Sequence, residues 1–256
     1  MTDATTTVPT TPAWVDLGTS DPAGARAFYG TLFGWDIEVN PDPQYGGYAI
    51  ARVGGQDAAG IGGSMSPDAP PSWSVYLRTD DAATLGERVA AAGGTVVMPA
   101  FDVGDQGRMA VFQDPSGAFV SCWQGTRMNG FQTNGANAFS WAELNARGVG
   151  RAIPFYESVF GWTAKDVGTA EMPYTEFQLD GHRFAGATEI SPMVPPEVPS
   201  YWMVYFGVDD VDAAHETALA AGGRELVGPM DFPGGRLSIL TDPQGAAFGL
   251  MRMAEG

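Results

Sequence analysis

The chain repeats itself, and that constrains its fold more than anything else in it. Ala13-Trp14-Val15-Asp16-Leu17 returns as Ser140-Trp141-Ala142-Glu143-Leu144, Phe28-Tyr29 as Phe155-Tyr156, and Phe33-Gly34-Trp35 as Phe160-Gly161-Trp162. In the same order Trp73, Val75 and Tyr76 come back as Trp202, Val204 and Tyr205, and Gly93-Gly94 as Gly222-Gly223. Gly107-Arg108 returns as Gly235-Arg236, and Asp114-Pro115-x-Gly117-Ala118 as Asp242-Pro243-x-Gly245-Ala246. Ordered self-similarity of this kind marks a tandem duplication of one domain. Within the 256 residues, the expected domains are 13–124 and 139–254, with a Thr-rich tail at 1–12 expected to be disordered and a linker at 125–138. Each repeat is long enough to bury a core of its own.

Within a repeat the local signals are also paired. A short alternating strand at Trp14 to Leu17 runs into Ser20 or Asp21 as a helix cap, with Pro22 in the first turn. Ala25, Phe28, Tyr29, Leu32 and Phe33 then fall on one helical face, and Gly34 ends the helix. Asp36 to Val39, Tyr48 to Val53 and Ala58 to Ile61 read as three antiparallel strands. After a loop at 67–71 the programme restarts: a strand at Trp73 to Leu77, a helix capped by Asp80 or Asp81, Gly93-Gly94, and strands at Thr95 to Met98, Arg108 to Gln113 and Ala118 to Trp123. The expectation is an α+β chain of tandem βαβββ modules, two per domain. The second domain's cap region, Arg147-Gly148-Val149-Gly150, is a poorer helix start.

Charge and cysteine content narrow the partners. Thirteen basic against 30 acidic residues leave a formal net charge of −17, which repels nucleic acid and acidic membranes, so neither is an expected partner. Cys122 is the only cysteine, which leaves no intrachain disulfide and suits a reducing compartment. The opening Thr-rich stretch has no basic start or apolar core, and no apolar run reaches membrane-spanning length, so a cytoplasmic location is expected.

A first strand opening on an aromatic, a helix bearing Phe-Tyr and ending Phe-Gly-Trp, Asp-Asp before the second helix, Gly-Gly after it and Asp-Pro-x-Gly before the last strand together resemble the vicinal oxygen chelate superfamily. This is the glyoxalase/bleomycin resistance protein/dioxygenase fold, and the likeness is nearest to two-domain actinobacterial proteins described as glyoxalase-like or as hydroxylases. The resemblance implies that each domain curls a mixed β-sheet, flanked by helices, into a cup around a small-molecule site. In metal-using relatives the cup holds a divalent ion on His or Gln from the first strand of each module and a Glu from the last strand. Carried onto this chain, those seats fall on Trp14, Trp73 and Ser121, and on Trp141, Trp202 and Gly249. An indole offers only an N–H donor and glycine no side chain, so no metal and no cofactor is expected. His182 and His215 lack any ligand spacing and read as surface or packing histidines.

Strand alternation then predicts what lines the cups. Asp16 falls beside Trp14, Glu143 beside Trp141, Phe119 and Trp123 beside Ser121, and Met251 beside Gly249. Arg108 and Arg236, at matching sites near strand starts, are the candidate partners of the two acids. Cys122, on the alternate face from Ser121, reads as a buried inert thiol. Two classes of function stay open. One is a metal-independent binding protein for an aromatic, hydrophobic or cationic metabolite or drug, serving resistance or carriage, with Trp14, Trp73, Trp141 and Trp202 as stacking surfaces. The other is a cofactor-free tailoring or detoxification enzyme, acting on a polyketide or a methylglyoxal-like substrate, with Asp16 or Glu143 as acid or base. A filled cup and a duplication that serves an interface is the bland third. Monomer and homodimer both fit.

Overall fold

The computed structural model describes residues 11–66, 68–128, 130–133 and 135–254; most of the expected tail, Pro67 of the expected loop, and Asn129 and Asn134 of the expected linker lie outside them. The first half runs β1 (Pro12–Thr19), α1 (Pro22–Phe33), β2 (Asp36–Val39), β3 (Ala49–Val53), β4 (Gln56–Gly63), β5 (Ser72–Arg78), α2 (Ala82–Ala91), β6 (Thr95–Val103), β7 (Gly107–Gln113) and β8 (Phe119–Gly125). The second half repeats it: β9 (Phe139–Ala146), α3 (Val149–Phe160), β10 (Thr163–Asp166), β11 (Thr175–Leu179), β12 (His182–Glu189), β13 (Tyr201–Gly207), α4 (Val211–Ala220), β14 (Arg224–Phe232), β15 (Gly235–Thr241) and β16 (Ala247–Met253). Each half forms one eight-stranded mixed sheet, ordered β2-β3-β4-β1-β5-β8-β7-β6 and β10-β11-β12-β9-β13-β16-β15-β14. This is the expected α+β architecture of tandem βαβββ modules.

The first strand of a module pairs in parallel with its last, β1 with β4 and β5 with β8, while the meander between them is antiparallel. A parallel pair needs a crossover, and the helix with its two following strands supplies it. The helix ends follow the sequence signals. Asp21 accepts from the Gly24 amide and Gly34 closes α1 in the left-handed conformation at φ 64°, where a glycine carries no Cβ penalty. Gly148 gives α3 no side-chain cap, but the Glu189 carboxylate, from the end of β12, accepts from the Gly148 and Val149 amides at 2.7 and 2.9 Å. A distant acid thus does the work of the missing local cap.

By backbone proximity the chain divides crosswise into two compact units. Among the described residues, one holds Val75–Gly130 and Glu143–Trp202 with 11–13; the other holds Trp14–Ser74, Phe131–Ala142 and 203–254. Each unit therefore takes one module from each half. Inside each unit the same buried chain recurs. In one, Trp73 Nε1 donates to the Tyr29 hydroxyl at 3.0 Å, and that hydroxyl donates to Asp242 Oδ2 at 3.2 Å. In the other, Trp202 Nε1 donates to Tyr156 at 2.9 Å and Tyr156 to Asp114 Oδ2 at 2.9 Å. The second oxygen of each aspartate caps its own Asp-Pro turn, Asp114 through the Ser116 and Ala118 amides and Asp242 through those of Gln244, Gly245 and Ala246. Rings of Phe33, Trp35 and Phe248 close around Tyr29, with Phe206 packed on Phe33, and those of Phe160, Trp162 and Phe177 close around Tyr156. The repeated Phe-Tyr, Trp and Asp-Pro motifs are thus one buried polar network, made twice. Every polar atom in it has a partner, as burial demands.

Candidate functional site

On β1, Val15 and Leu17 are buried on one face, and Trp14 and Asp16 alternate with them on the other. Trp14 Nε1 donates to the Tyr48 hydroxyl at 2.9 Å, and Tyr48 donates to Asp16 Oδ2 at 3.2 Å. An indole nitrogen cannot accept, so these two bonds run in one direction and the phenol proton points at the carboxylate. Tyr48 lies flat on β4: a Cβ at Gly60 would stand 1.7 Å from its hydroxyl oxygen, and one at Gly62 2.8 Å from its Cδ2. Two glycines at alternate positions of one strand leave the room the ring needs. Trp14 is only 2% exposed; Phe131 stands edge-on to it, ring centroids 5.7 Å apart. Asp16 stays half-buried.

The repeat is partial. Glu143 is half-buried between Trp141 and Asn145 along β9, with its Oε1 accepting from Asn145 Nδ2 at 3.1 Å. Burial, then the nearby Glu143 charge, pushes the Tyr201 phenol above its ordinary value. Tyr174 lies on β12 as Tyr48 lies on β4, and a Cβ at Gly186 would stand 2.0 Å from its hydroxyl oxygen.

The second-module tryptophans correct an expectation. Trp73 and Trp202 were expected to line the cups as stacking surfaces, yet their indoles are turned to the helices and bonded to Tyr29 and Tyr156. A shift of one residue turns every side chain of a strand over. Tyr76 and Tyr205 take the other face, in register with Ser121 and Gly249. A Cβ at Gly249 would sit 2.0 Å from Tyr205 Cδ1, so a tyrosine ring fills the space where the family's glutamate would stand.

These residues do not fit a divalent ion. Indole, serine hydroxyl and glycine replace imidazole and carboxylate at the seats the resemblance assigns. Among the described residues no group of three or more His, Cys, Asp and Glu is placed to hold one.

The remaining candidates scatter. Trp123 is buried, its Nε1 donating to the Met128 carbonyl at 2.8 Å; Ser121 and Met251 are buried, and Phe119 is 56% exposed. Arg108 pairs with Asp102 at 2.8 Å, and Arg236 with Asp212 at 2.7 Å and Asp231 at 2.9 Å. Hydrogen bonds from these arginines hold the Asp102 and Asp212 carboxyls below the usual range. Both guanidinium groups therefore serve exposed acids on the outer strands and α4, which corrects their assignment to Asp16 and Glu143. A recess of about 410 Å³ lies between the start of α4 and the end of β16; of the expected site residues only Arg236 lines it, among Asp210, Asp212, Asp231 and Arg252. His215 is buried with Nε2 2.9 Å from Glu225 Oε2, and His182 is exposed. Burial pushes the Cys122 thiol up to about 12, so it is protonated and inert at neutral pH.

Tyr48 and Tyr174 are the residues that sequence reasoning missed. Their signal was the glycine spacing in β4, Gly60-x-Gly62, which weakens a strand unless something must approach it closely.

Comparison with known proteins places this geometry. The family model described as the Glyoxalase/Bleomycin resistance protein/Dioxygenase superfamily matches residues 11–121 and 138–250. The chain is 41% identical over 251 residues to CFP32 of Mycobacterium tuberculosis (strain CDC 1551 / Oshkosh), covering 95% of each protein. It is 36% identical to the anthracycline biosynthesis protein DnrV of Streptomyces peucetius, covering 97% of this chain and 95% of that one. Among solved structures, the Mn(II)-bound glyoxalase from Novosphingobium aromaticivorans superposes with a TM-score of 0.67 over 96% of this chain and 82% of the other, at 16% identity. At that identity the likeness is one of fold.

Proposed function

Because the chain belongs to the glyoxalase/bleomycin resistance protein/dioxygenase superfamily, we propose that it binds a small aromatic molecule without a metal, in resistance or carriage. The binding face is that of β1 with Trp14, Tyr48 and Asp16, repeated on β9 with Trp141 and Glu143. The observation that carries this reading is the half-buried Asp16 carboxylate, held by Tyr48 beside an indole, on a strand whose metal seat is a tryptophan. A carboxylate so placed selects a guest with a hydrogen-bond donor, a protonated amine or a phenol, joined to flat apolar surface. The likeness to anthracycline biosynthesis proteins supports a polycyclic aromatic guest.

Trp14 is covered by Phe131, so the guest's ring takes the place of the Phe131 ring against the indole. Stacking of a flat ring on an aromatic side chain contributes about 1–3 kcal/mol, enough with one charge-assisted hydrogen bond for micromolar affinity. The partner is a small molecule; the acidic balance of the chain supports neither nucleic acid nor an acidic membrane, and monomer and homodimer both accord with it. Among the described residues no helix is long and apolar enough to cross a membrane, and a cytoplasmic location is part of the proposal.

The second reading makes the protein a cofactor-free tailoring or detoxification enzyme with Asp16 or Glu143 as acid or base. The one-directional chain from Trp14 to Asp16 favours it, because it aims a carboxylate with a fixed proton donor behind it. Asp16→Asn and Glu143→Gln separate the two. Calorimetric titration with an anthracycline is expected to show binding weakened roughly tenfold in Asp16→Asn, and likewise at the second face in Glu143→Gln, with no product formed by any variant. Turnover that falls by about 10²–10⁴ in either variant while binding persists selects the enzyme.

A further inference from the structure

We infer that Tyr48 is a positioning residue, holding the Asp16 carboxylate in the orientation in which it meets a guest, and that Tyr174 does the same for Glu143. The inference deepens the proposed binding reading and rests on it only for what the carboxylates meet.

Three observations carry it. First, the Tyr48 hydroxyl accepts from Trp14 and donates to Asp16 Oδ2, so the phenol has one orientation and the carboxylate a fixed donor on that oxygen. A hydrogen bond to the ionised form favours it and limits the rotation of the group. Second, β4 gives up side chains at Gly60 and Gly62 to seat the ring, and Cβ atoms there would collide with Tyr48. Glycine inside a strand weakens it, so a ring needed only for packing is more cheaply placed over alanine with a smaller side chain. Third, the seating of a tyrosine ring on a strand glycine beside the acid-bearing strand is made twice. Tyr174 lies on Gly186, and where the first copy has Gly62 the second has Thr188, whose Oγ1 donates to the Pro173 carbonyl at 3.3 Å and ties down the segment that delivers Tyr174. The first-copy acid is an aspartate on β1 and the second a glutamate on β9, yet the tyrosine and its glycine are unchanged.

The chemistry is that of an acceptor kept ready. Tyr48 fixes one oxygen of Asp16 and so sets the plane in which the carboxylate meets a donor on the guest. Loss of the phenol removes a donor to the ionised form and makes that form harder to keep.

The test uses the full chain without ligand. Carboxyl carbons of aspartate and ring Cζ carbons of tyrosine are labelled with ¹³C and followed by NMR through an acid titration, with Asp16→Asn and Tyr48→Phe giving the assignments. In the unmodified protein the Tyr48 Cζ resonance is expected to move with the Asp16 midpoint. In Tyr48→Phe that midpoint is expected to rise by about one pH unit, since a donor to the ionised form is gone. An Asp16 midpoint unchanged in folded Tyr48→Phe, or a Tyr48 Cζ resonance flat through the Asp16 titration, overturns the inference. If Tyr48→Phe fails to fold, the coupling in the unmodified protein decides alone. Coupling present in a protein that binds no aromatic ligand counts against the binding reading and leaves this inference standing.

Discussion

At the scale of single residues, two kinds of tyrosine do different work. Tyr29 and Tyr156 are fully buried, each between an indole N–H and a turn aspartate. Burial first, then the charge of Asp242 or Asp114, pushes both phenols well above their ordinary value. In the unfolded chain they ionise at about pH 10, so their contribution to stability is complete below that and is lost as pH rises above it toward the raised folded values. Denaturant unfolding measured from pH 8 to 11 is expected to show stability falling above about pH 10, and less steeply in Tyr29→Phe. At neutral pH that variant is expected to lose about 1–3 kcal/mol, because Trp73 and Asp242 each lose a buried partner. Tyr48 is half-buried and bonded to Asp16, and its loss is expected to tell on the carboxylate more than on the fold. The sequence made the first set visible as repeated motifs but concealed what they were for. Phe28-Tyr29 and Asp242-Pro243 lie far apart in the chain, and only packing brings the hydroxyl to the carboxylate.

The strands and helices were legible for most of their length because apolar spacing and caps marked them. Face assignment on β5 and β13 was harder. Trp73 was set by resemblance at the seat of a metal ligand, whereas the alternation Trp73, Val75, Leu77 against Ser74 and Arg78 already puts it with the core. The structure follows the alternation, because a strand backed by α1 buries its larger apolar set. The aromatic run Tyr201 to Phe206 gave no such contrast on β13. Helix α3 makes the opposite point: its local start is poor, and Glu189 from β12 compensates. Replacing Glu189 by Ala is expected to cost about 0.5–2 kcal/mol in denaturant unfolding, whereas a purely local view of the Gly148 region predicts no change. For β4, Gly60→Ala is expected to destabilise the strand through the Tyr48 clash even though alanine is the better strand former; a gain in melting temperature would show that the ring is easily moved.

For the whole molecule, duplication explains both the economy of the sequence and the crosswise division into units, each taking one module from each half. The Trp–Tyr–Asp network has the same donor order in both units. The acid-bearing faces of β1 and β9 are not alike, since Asp16 and Glu143 differ in length, and Asp16 accepts from Tyr48 where Glu143 accepts from Asn145. Selection for a common fold with divergent faces is the pattern expected of a binding protein whose two copies meet different parts of a ligand or different ligands. The residues at the inherited metal seats are incompatible with a divalent ion in both copies, which makes metal independence the central claim. It is tested most directly by calorimetric titration of an anthracycline into the protein before and after exhaustive dialysis against a chelator. Micromolar binding with the same affinity in both samples is expected. No binding in either, or binding that disappears on chelation and returns with manganese, iron or zinc, would contradict it.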